Sequence, residues 1–163
     1  MQMVLKGIID EDFIQYKKAS MVVIFPCCTF KCDIDCGEPV CQNGILASSP
    51  SVLCDADSIV KRYLKNPITK AMVASGLEPL DDKDQLFALI KEFRKRSEDD
   101  FVLYTGYMEN EKEFVEFCDF IKKNGYRNII AKVGRFRPNQ PHRYDSILNV
   151  ELASNNQYGV VVS

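Results

Sequence analysis

The stretch Met21-Val-Val-Ile-Phe25-Pro26-Cys27-Cys28-Thr29-Phe30-Lys31-Cys32 decides the fold of this 163-residue chain. Its first five residues are all apolar and rich in β-branched side chains, which is typical of a strand buried inside a sheet. Pro26 ends the strand because proline has no N–H to donate to a neighbouring strand. The cysteines therefore follow the carboxyl end of a buried strand.

Strands and helices alternate outward from this stretch. Apolar runs predict further strands over residues 71–74, 101–104 and 128–132, and a last strand is predicted over 158–162. Apolar residues at helical spacing predict helices over 55–64, 84–96 and 111–124. This alternation predicts parallel strands joined by right-handed crossovers. Because a complete eight-fold barrel takes about 250 residues, we expect a single α/β domain over 1–163, a partial (open) βα barrel with a mostly parallel sheet.

Unusual residues follow the end of each predicted parallel strand. They are the cysteine loop over 26–44, Ser75-Gly-Leu-Glu-Pro79, Thr105-Gly-Tyr107 and Gly134-Arg-Phe136. Ligands of parallel α/β sheets bind beyond the carboxyl ends of the strands. We therefore expect these four segments to meet around one site.

Composition and charge exclude several classes of protein. With 21 Lys plus Arg against 23 Asp plus Glu, the net charge is −2, so the dense basic surface that binds nucleic acid is absent. No run approaches the roughly 20 apolar residues of a membrane span, so we expect no membrane partner. Residues 1–18 contain Asp10-Glu-Asp12 where a signal peptide needs an apolar run. These features predict a cytoplasmic protein.

Cysteines are the anomaly of the composition, with seven of them against one histidine. In a reducing compartment, clustered thiols are more often metal ligands or redox groups than disulfides. Cys28 and Cys32 lie four positions apart, and Cys36 and Cys41 are both close enough to supply a third ligand. This crowding favours a 4Fe–4S cluster with one iron left free. There are two alternatives. One is structural zinc, which usually takes two separated cysteine pairs, and the other is a set of thiols that bind no metal.

The remaining cysteines and the histidine have simpler interpretations. Cys118 falls on an apolar helix stripe, where a free thiol behaves as a small hydrophobic group. Cys27 and Cys54 are also expected to pack rather than to bind a metal. His142 lies in a polar stretch far from the cysteine loop, which argues against a mixed Cys/His zinc site.

Four segments resemble motifs of radical S-adenosylmethionine (SAM) enzymes. Cys28-x3-Cys32 after an apolar strand, followed by Cys41-Gln-Asn43, resembles their cluster loop. Residues 75–80 (Ser-Gly-Leu-Glu-Pro-Leu) resemble their Gly-Gly-Glu-Pro motif. Residues 102–107 (Val-Leu-Tyr-Thr-Gly-Tyr) and 152–157 (Leu-Ala-Ser-Asn-Asn-Gln) resemble segments of one branch, the activating proteins of anaerobic ribonucleotide reductase. The order and spacing of these motifs carry the resemblance, which covers residues 8–158.

The resemblance implies two cofactors and a protein substrate. In this family three cysteines hold a 4Fe–4S cluster, and its free iron chelates the amino and carboxylate groups of SAM. One electron then cleaves SAM to methionine and a 5′-deoxyadenosyl radical, which takes hydrogen from a backbone glycine of the large glycyl-radical reductase subunit. The implied partners are that subunit and an electron donor such as flavodoxin or ferredoxin. No catalytic side chain beyond the cluster and SAM is implied.

The resemblance also assigns roles to individual residues. Gly76 and Glu78 match the segment that receives the methionine amino group, and a carboxylate is a suitable acceptor for an ammonium. Asn43, Thr105 and Gly106 are likewise implied to contact SAM. Leucine stands at position 77 where the family has the second glycine of its motif.

The family pattern favours Cys41 over Cys36 as the third cluster ligand. The usual spacing is three residues and then two, whereas here three residues separate Cys32 from Cys36 and eight separate it from Cys41. Cys41 precedes Gln42-Asn43, which matches the family's Cys-aromatic-Asn ending except at the aromatic position. The implied metal ligands are therefore Cys28, Cys32 and Cys41.

Three questions stay open at this point. Residues 154–157 are either a polar turn or a segment that contacts SAM or the partner. The reaction could also be that of a radical SAM enzyme with a different protein or small substrate. A non-catalytic, zinc-binding interaction module is the alternative from another class.

Overall fold

The computed structural model describes residues 1–41 and 43–163, which form ten strands and five α-helices. The strands are β1 Gln2–Leu5, β2 Gly7–Asp12, β3 Ser20–Phe25, β4 Val52–Asp55, β5 Ala71–Gly76, β6 Asp100–Tyr104, β7 Ile129–Val133, β8 Arg143–Asp145, β9 Val150–Leu152 and β10 Tyr158–Val161. The helices are α1 Lys31–Cys36, α2 Gly44–Ser48, α3 Ala56–Lys65, α4 Lys83–Arg94 and α5 Lys112–Asn124. A 3₁₀ helix, Pro79–Asp82, lies between β5 and α4.

The central sheet has six strands in the order β10-β7-β6-β5-β3-β2. Strands β3, β5, β6 and β7 run parallel, while β2 and β10 are antiparallel strands at the two edges. The register pairs Phe25 with Gly76 and Ala74 with Leu103, so the parallel strands end side by side. The predicted α/β class with a mostly parallel sheet is confirmed.

Side chains alternate between the two faces of the sheet and enter two hydrophobic clusters. On one face, Val23, Met72 and Leu103 pack with the helices α3, α4 and α5. On the other face, residues such as Val73 and Val102 pack against segments outside the central sheet. Both faces are therefore covered, as the continuous apolar runs of the parallel strands require.

The three long helices begin and end as their sequences indicate. The Asp55 side chain caps α3 by accepting a hydrogen bond from the Ser58 N–H at 2.9 Å. Gly125 ends α5 in the left-handed conformation that glycine adopts without strain.

The apolar spacing over 55–64 places Ile59, Val60, Tyr63 and Leu64 on one helical face; the first three are buried, but Leu64 is 47% exposed, so the prediction is wrong for that residue. No helix in the described ranges has both the length and the apolar character of a membrane span.

Three parts of the structure differ from the sequence prediction. The polar start of the chain forms β1 and β2, and the polar tail contains the hairpin β8–β9. The cysteine loop predicted over 26–44 is not a continuous loop, because Lys31–Cys36 is helical and Gly37 ends that helix in the left-handed conformation. Short, partly exposed elements lack a clear hydrophobic period, which explains why the pattern did not predict them.

The second face of the sheet is covered by the β2–β3 connection and the tail. Tyr16 from the β2–β3 connection and Leu148 and Leu152 from the tail pack on Val73 and Val102. The Asp145 carboxylate accepts hydrogen bonds from the N–H groups of Ile147, Leu148 and Gly159, which fixes this hairpin next to β10. The tail is therefore part of the folded core despite its polar composition.

Leu148→Ala tests this packing. Leu148 is completely buried, so its truncation is expected to lower the free energy of unfolding by about 2–5 kcal/mol through lost burial and a residual cavity. Urea denaturation followed by circular dichroism measures the change. Leu53→Ala is the control, because Leu53 is 66% exposed and should cost less than about 1 kcal/mol. Equal losses in the two variants would show that the tail does not pack on the sheet.

Candidate functional site

A cavity of about 400 Å³ opens at the carboxyl ends of the parallel strands. Its lining includes residues from all four segments that follow β3, β5, β6 and β7. All eight of the predicted site residues line it: Cys28, Cys32, Cys41, Asn43, Gly76, Glu78, Thr105 and Gly106. The fold thus brings together residues as far apart in the sequence as Cys28 and Gly106. Their roles toward a ligand stay predictions. Gln42, part of the Cys-aromatic-Asn comparison, lies outside the described residues.

The three candidate thiols lie at this cavity, whereas Cys36 does not. Cys36 is exposed and lines a second cavity of about 450 Å³, which Cys32 borders as well. The Asp33 carboxylate of α1 accepts hydrogen bonds from the N–H groups of Val40 and Cys41 at 2.8 and 2.7 Å. This carboxylate ties the Cys41 segment to the helix that carries Cys32.

Backbone N–H groups donate hydrogen bonds to the Cys28 and Cys41 thiols. Cys28 Sγ accepts a hydrogen bond from the Phe30 N–H at 3.2 Å, and Cys41 Sγ accepts one from the Asn43 N–H at 3.4 Å. The backbone N–H of Phe136 lowers the pKa of the Cys32 thiol, against the larger effect of burial. Donors of this kind stabilise negative charge on sulfur and tune iron–sulfur centres.

Burial favours the neutral form of the Cys28 and Cys32 thiols. It raises the pKa of Cys28 to about 11, and the carboxylates of Glu78 and Asp81 add to the rise. Burial also raises the pKa of Cys32. Metal binding at these thiols must therefore release protons.

The donor set fits an iron–sulfur cluster. Three soft sulfur donors line one cavity, and two of them accept hydrogen bonds from backbone N–H groups. Thiolates are the ligands that such clusters take. Within residues 1–41 and 43–163, no group of three or more His, Cys, Asp or Glu side chains is placed to hold a single metal ion. A 4Fe–4S cluster binds each thiolate through a different iron, so its ligands need not converge on one ion as those of structural zinc do.

The Glu78 side chain lines the cavity and accepts hydrogen bonds from three other residues. It is 6% exposed, and its Oε1 accepts hydrogen bonds from the Thr105 hydroxyl at 2.8 Å and the Leu80 N–H at 3.1 Å. Its Oε2 accepts one from the Gly106 N–H at 2.8 Å. Burial raises the pKa of Glu78 to about 7, although these three donors oppose the rise. Thr105 and Gly106, expected to contact SAM, thus contact Glu78 and join the end of β6 to the turn after β5.

Gly76 and Asn43 join the cysteine segment to β5. Gly76 has a φ of +102°, and a Cβ there would lie 2.8 Å from the Phe25 nitrogen, so no other residue fits without movement. The Asn43 side-chain amide donates a hydrogen bond to the Gly76 carbonyl at 2.8 Å. The Glu78 N–H donates to the Cys27 carbonyl at 2.7 Å. These bonds fix the cysteine segment against the Gly76–Glu78 turn.

Lys132 is a cavity residue that the sequence analysis missed. It lies in β7, is 8% exposed, and its ammonium donates a hydrogen bond to the Gly134 carbonyl at 3.1 Å. Burial lowers its pKa to about 8, although the Glu78 carboxylate acts in the opposite direction. Lys132 is the one charged residue in the otherwise apolar run 129–133. A lone cation in a predicted buried strand could have marked it as a candidate site residue.

No protein-family model matches the chain, and no curated protein matches it either. The chemistry of the cavity is therefore the basis for assigning a function. It combines three sulfur donors with a buried carboxylate and a buried ammonium. Such a site suits an iron–sulfur group together with a ligand that carries charges of both signs.

Glu78→Gln tests the buried carboxyl in the metal-free protein. The folded pKa of about 7 lies above the ordinary glutamate value of 4.5, so Glu78 favours folding fully below pH 4.5 and this contribution is lost as the pH rises through 7. In the native protein the unfolding free energy should fall between pH 4.5 and 7 by on the order of 3 kcal/mol because of Glu78. Glu78→Gln should remove this fall. Urea denaturation at several pH values measures it. Glu38→Gln, at an exposed position, should keep the slope, and an unchanged slope in Glu78→Gln would contradict the assignment.

Proposed function

We propose that this protein is a radical SAM activating enzyme that generates a glycyl radical on the large subunit of anaerobic ribonucleotide reductase. The proposal includes a single open βα-barrel domain of the radical SAM type, which acts in the cytoplasm. One observation carries it: Cys28, Cys32 and Cys41 line the same cavity as the Gly76–Glu78 turn, at the carboxyl ends of the parallel strands. The resemblance of these same segments to radical SAM motifs supports it independently of their position in space.

Cys28, Cys32 and Cys41 would hold the cluster, and Cys36 is the less suitable third ligand because it borders the other cavity. When bound, the cluster and SAM supply the one-electron chemistry that removes hydrogen from a glycine. The chain itself contributes N–H groups at Phe30 and Asn43 that stabilise charge on sulfur. A flavodoxin or ferredoxin is the proposed electron donor.

Glu78 and Lys132 would orient the amino-acid part of SAM. Both charged groups are buried and line the cavity. Among the described residues, Gly106 is the one donor to Oε2 of Glu78, so this oxygen keeps capacity for a ligand ammonium. Such a cation favours the ionised carboxylate and offsets the effect of burial. Lys132 places a positive charge near the same site, where a ligand carboxylate would be stabilised.

The mouth of the cavity suits a substrate that is itself a protein. Ile14 lines the cavity and is 78% exposed, and its neighbour Phe13 is 65% exposed. The connection that carries them is fixed by the Asp12 carboxylate, which accepts hydrogen bonds from the N–H groups of Ile14 and Gln15. Exposed apolar side chains on a held segment are typical of an interaction surface. The large reductase subunit would cover this mouth and exclude water from the reaction.

Single cysteine replacements test the cluster ligands. After anaerobic reconstitution with iron and sulfide, the native protein should be brown and absorb near 400 nm. Cys28→Ala, Cys32→Ala and Cys41→Ala should each lose most of the bound iron, because each removes one of three thiolate ligands. Cys36→Ala and Cys54→Ala are matched controls that should keep it. Iron per chain is the measurement, and full retention of iron in Cys41→Ala would overturn the ligand set.

A partner experiment tests the reaction. Reconstituted protein, SAM, a reductant and a large glycyl-radical reductase subunit should yield 5′-deoxyadenosine and a glycyl-radical resonance in electron paramagnetic resonance spectra. A subunit with its radical-bearing glycine replaced by alanine is the control and should give no such resonance. 5′-Deoxyadenosine without a glycyl radical would favour a different protein or small substrate. Colourless protein with stoichiometric zinc would instead support the zinc-binding interaction module.

A further inference from the structure

The cavity of about 400 Å³ that holds the candidate thiols also runs along one edge of strand β9. Four consecutive residues of this segment, 150–153, line it. Successive side chains of a strand point to opposite faces, so a cavity that bordered one face would touch only every second residue. Contact with four residues in a row therefore places the cavity along the edge of the strand, where the backbone N–H and C=O groups lie.

In the described part of the chain, this edge of β9 has no partner strand. Within residues 1–41 and 43–163, β9 pairs only with β8, in a two-stranded antiparallel sheet. Residues 143–145 of β8 do not line the cavity, so the cavity lies on the side of β9 that is opposite β8. A strand that is paired on one side presents alternate N–H donors and C=O acceptors on the other, and a second extended chain can pair with them.

Strand β9 is fixed in the protein at both of its ends. The Asp145 carboxylate holds the hairpin turn before β9 by accepting hydrogen bonds from two N–H groups of that turn. The turn after β9 is bonded to the segment that follows β7. There the Asn156 amide donates to the Arg135 carbonyl at 2.8 Å, and the Gln157 amide donates to the Gly134 carbonyl at 3.2 Å. An edge that is already fixed loses little conformational entropy when a ligand pairs with it.

The connection between β2 and β3 supplies a hydrogen-bond acceptor at the same cavity. Gln15 lines the cavity, and its Oε1 is buried without a donor among the described residues. The backbone of Gln15 is fixed, because its N–H donates to the Asp12 carboxylate at 2.9 Å and its carbonyl accepts from the Tyr104 hydroxyl. A buried acceptor without a donor costs free energy, and an N–H group of a ligand removes that cost.

We propose that the open edge of β9 binds the glycine-bearing loop of the large reductase subunit as an added, extended strand, and that Gln15 Oε1 accepts one N–H of this loop. The inference rests on the proposed function, because it names how the protein substrate is recognised at that site. Glycine has no side chain, so recognition at the reacting residue depends on main-chain hydrogen bonds, which are what a strand edge offers. The exposed side chains of Phe13 and Ile14 pack on the residues that flank the glycine.

Hydrogen exchange tests the added strand. It is measured on the reconstituted protein with SAM, in the presence and absence of the large subunit. Bound subunit should slow the exchange of N–H groups in residues 150–153 by about tenfold or more, because paired N–H groups are protected. The control is β4, residues 52–55, which belongs to the other strand pair outside the central sheet and should exchange at an unchanged rate.

A synthetic peptide that copies the glycine-bearing loop separates main-chain recognition from side-chain recognition. The same peptide with N-methylated backbone nitrogens on both sides of the glycine keeps its side chains and should bind about tenfold more weakly. Gln15→Leu removes the acceptor and should weaken binding of the unmodified peptide about threefold to tenfold. Gln140→Leu is the matched control and should bind like the native protein, because Gln140 Oε1 also lacks a donor among the described residues but Gln140 borders the second cavity.

The outcomes separate this inference from the proposed function. Glycyl-radical formation without protection of residues 150–153, or equal affinity for the two peptides, would overturn strand addition and leave the proposed function intact. Absence of both binding and a glycyl radical would refute the proposed function and this inference with it. Protection of 150–153 that rises with protein concentration in the absence of the subunit would assign the edge to a second copy of this chain, and would also overturn the proposal.

Discussion

The buried carboxylate of Glu78 is the interaction on which the rest of the site depends. It accepts hydrogen bonds from Thr105, Gly106 and Leu80, so one side chain joins the ends of two parallel strands and the turn between them. A carboxylate removed from water is costly unless such donors surround it. The Glu78 N–H also donates to the Cys27 carbonyl, and the cysteine segment is thereby fixed to the same point. The cavity has its shape because these separate strand ends share a single acceptor.

The same carboxylate connects structure to the proposed chemistry. With its pKa raised to about 7, the carboxyl is partly protonated near neutral pH, and a bound cation would displace that proton. A ligand ammonium would therefore bind with release of a proton near neutral pH. Lys132, whose pKa burial lowers, is the complementary group for an anion. A buried acid and a buried base whose pKa values are both strongly shifted, lying at one cavity, are typical of a functional site.

Much of the fold could be predicted from hydrophobic pattern because the parallel strands are buried on both faces. Residues 21–25 and 101–104 show this as uninterrupted apolar runs. The strands β2, β8 and β9 have exposed polar positions and gave no such signal. Their stability comes from long-range packing, as for Leu148 on the second face. Likewise, the short helix that carries Cys32 depends on its surroundings, since six residues are too few for a stable isolated helix.

The sequence by itself determined the α/β class and placed the unusual residues after the strands, because strand burial and chain order are local properties of the chain. It also indicated the three thiols and the Gly76–Glu78 turn as parts of one site. Only the tertiary structure decided that Thr105 and Gly106 bind Glu78, that Lys132 lies at the cavity, and that residues 154–157 bond to the segment after β7. The hydrogen bonds among them join residues far apart in the chain, and those of residues 154–157 go to the backbone of segment 134–137. Their partners depend on distances set by the packed sheet, which no spacing along the sequence encodes.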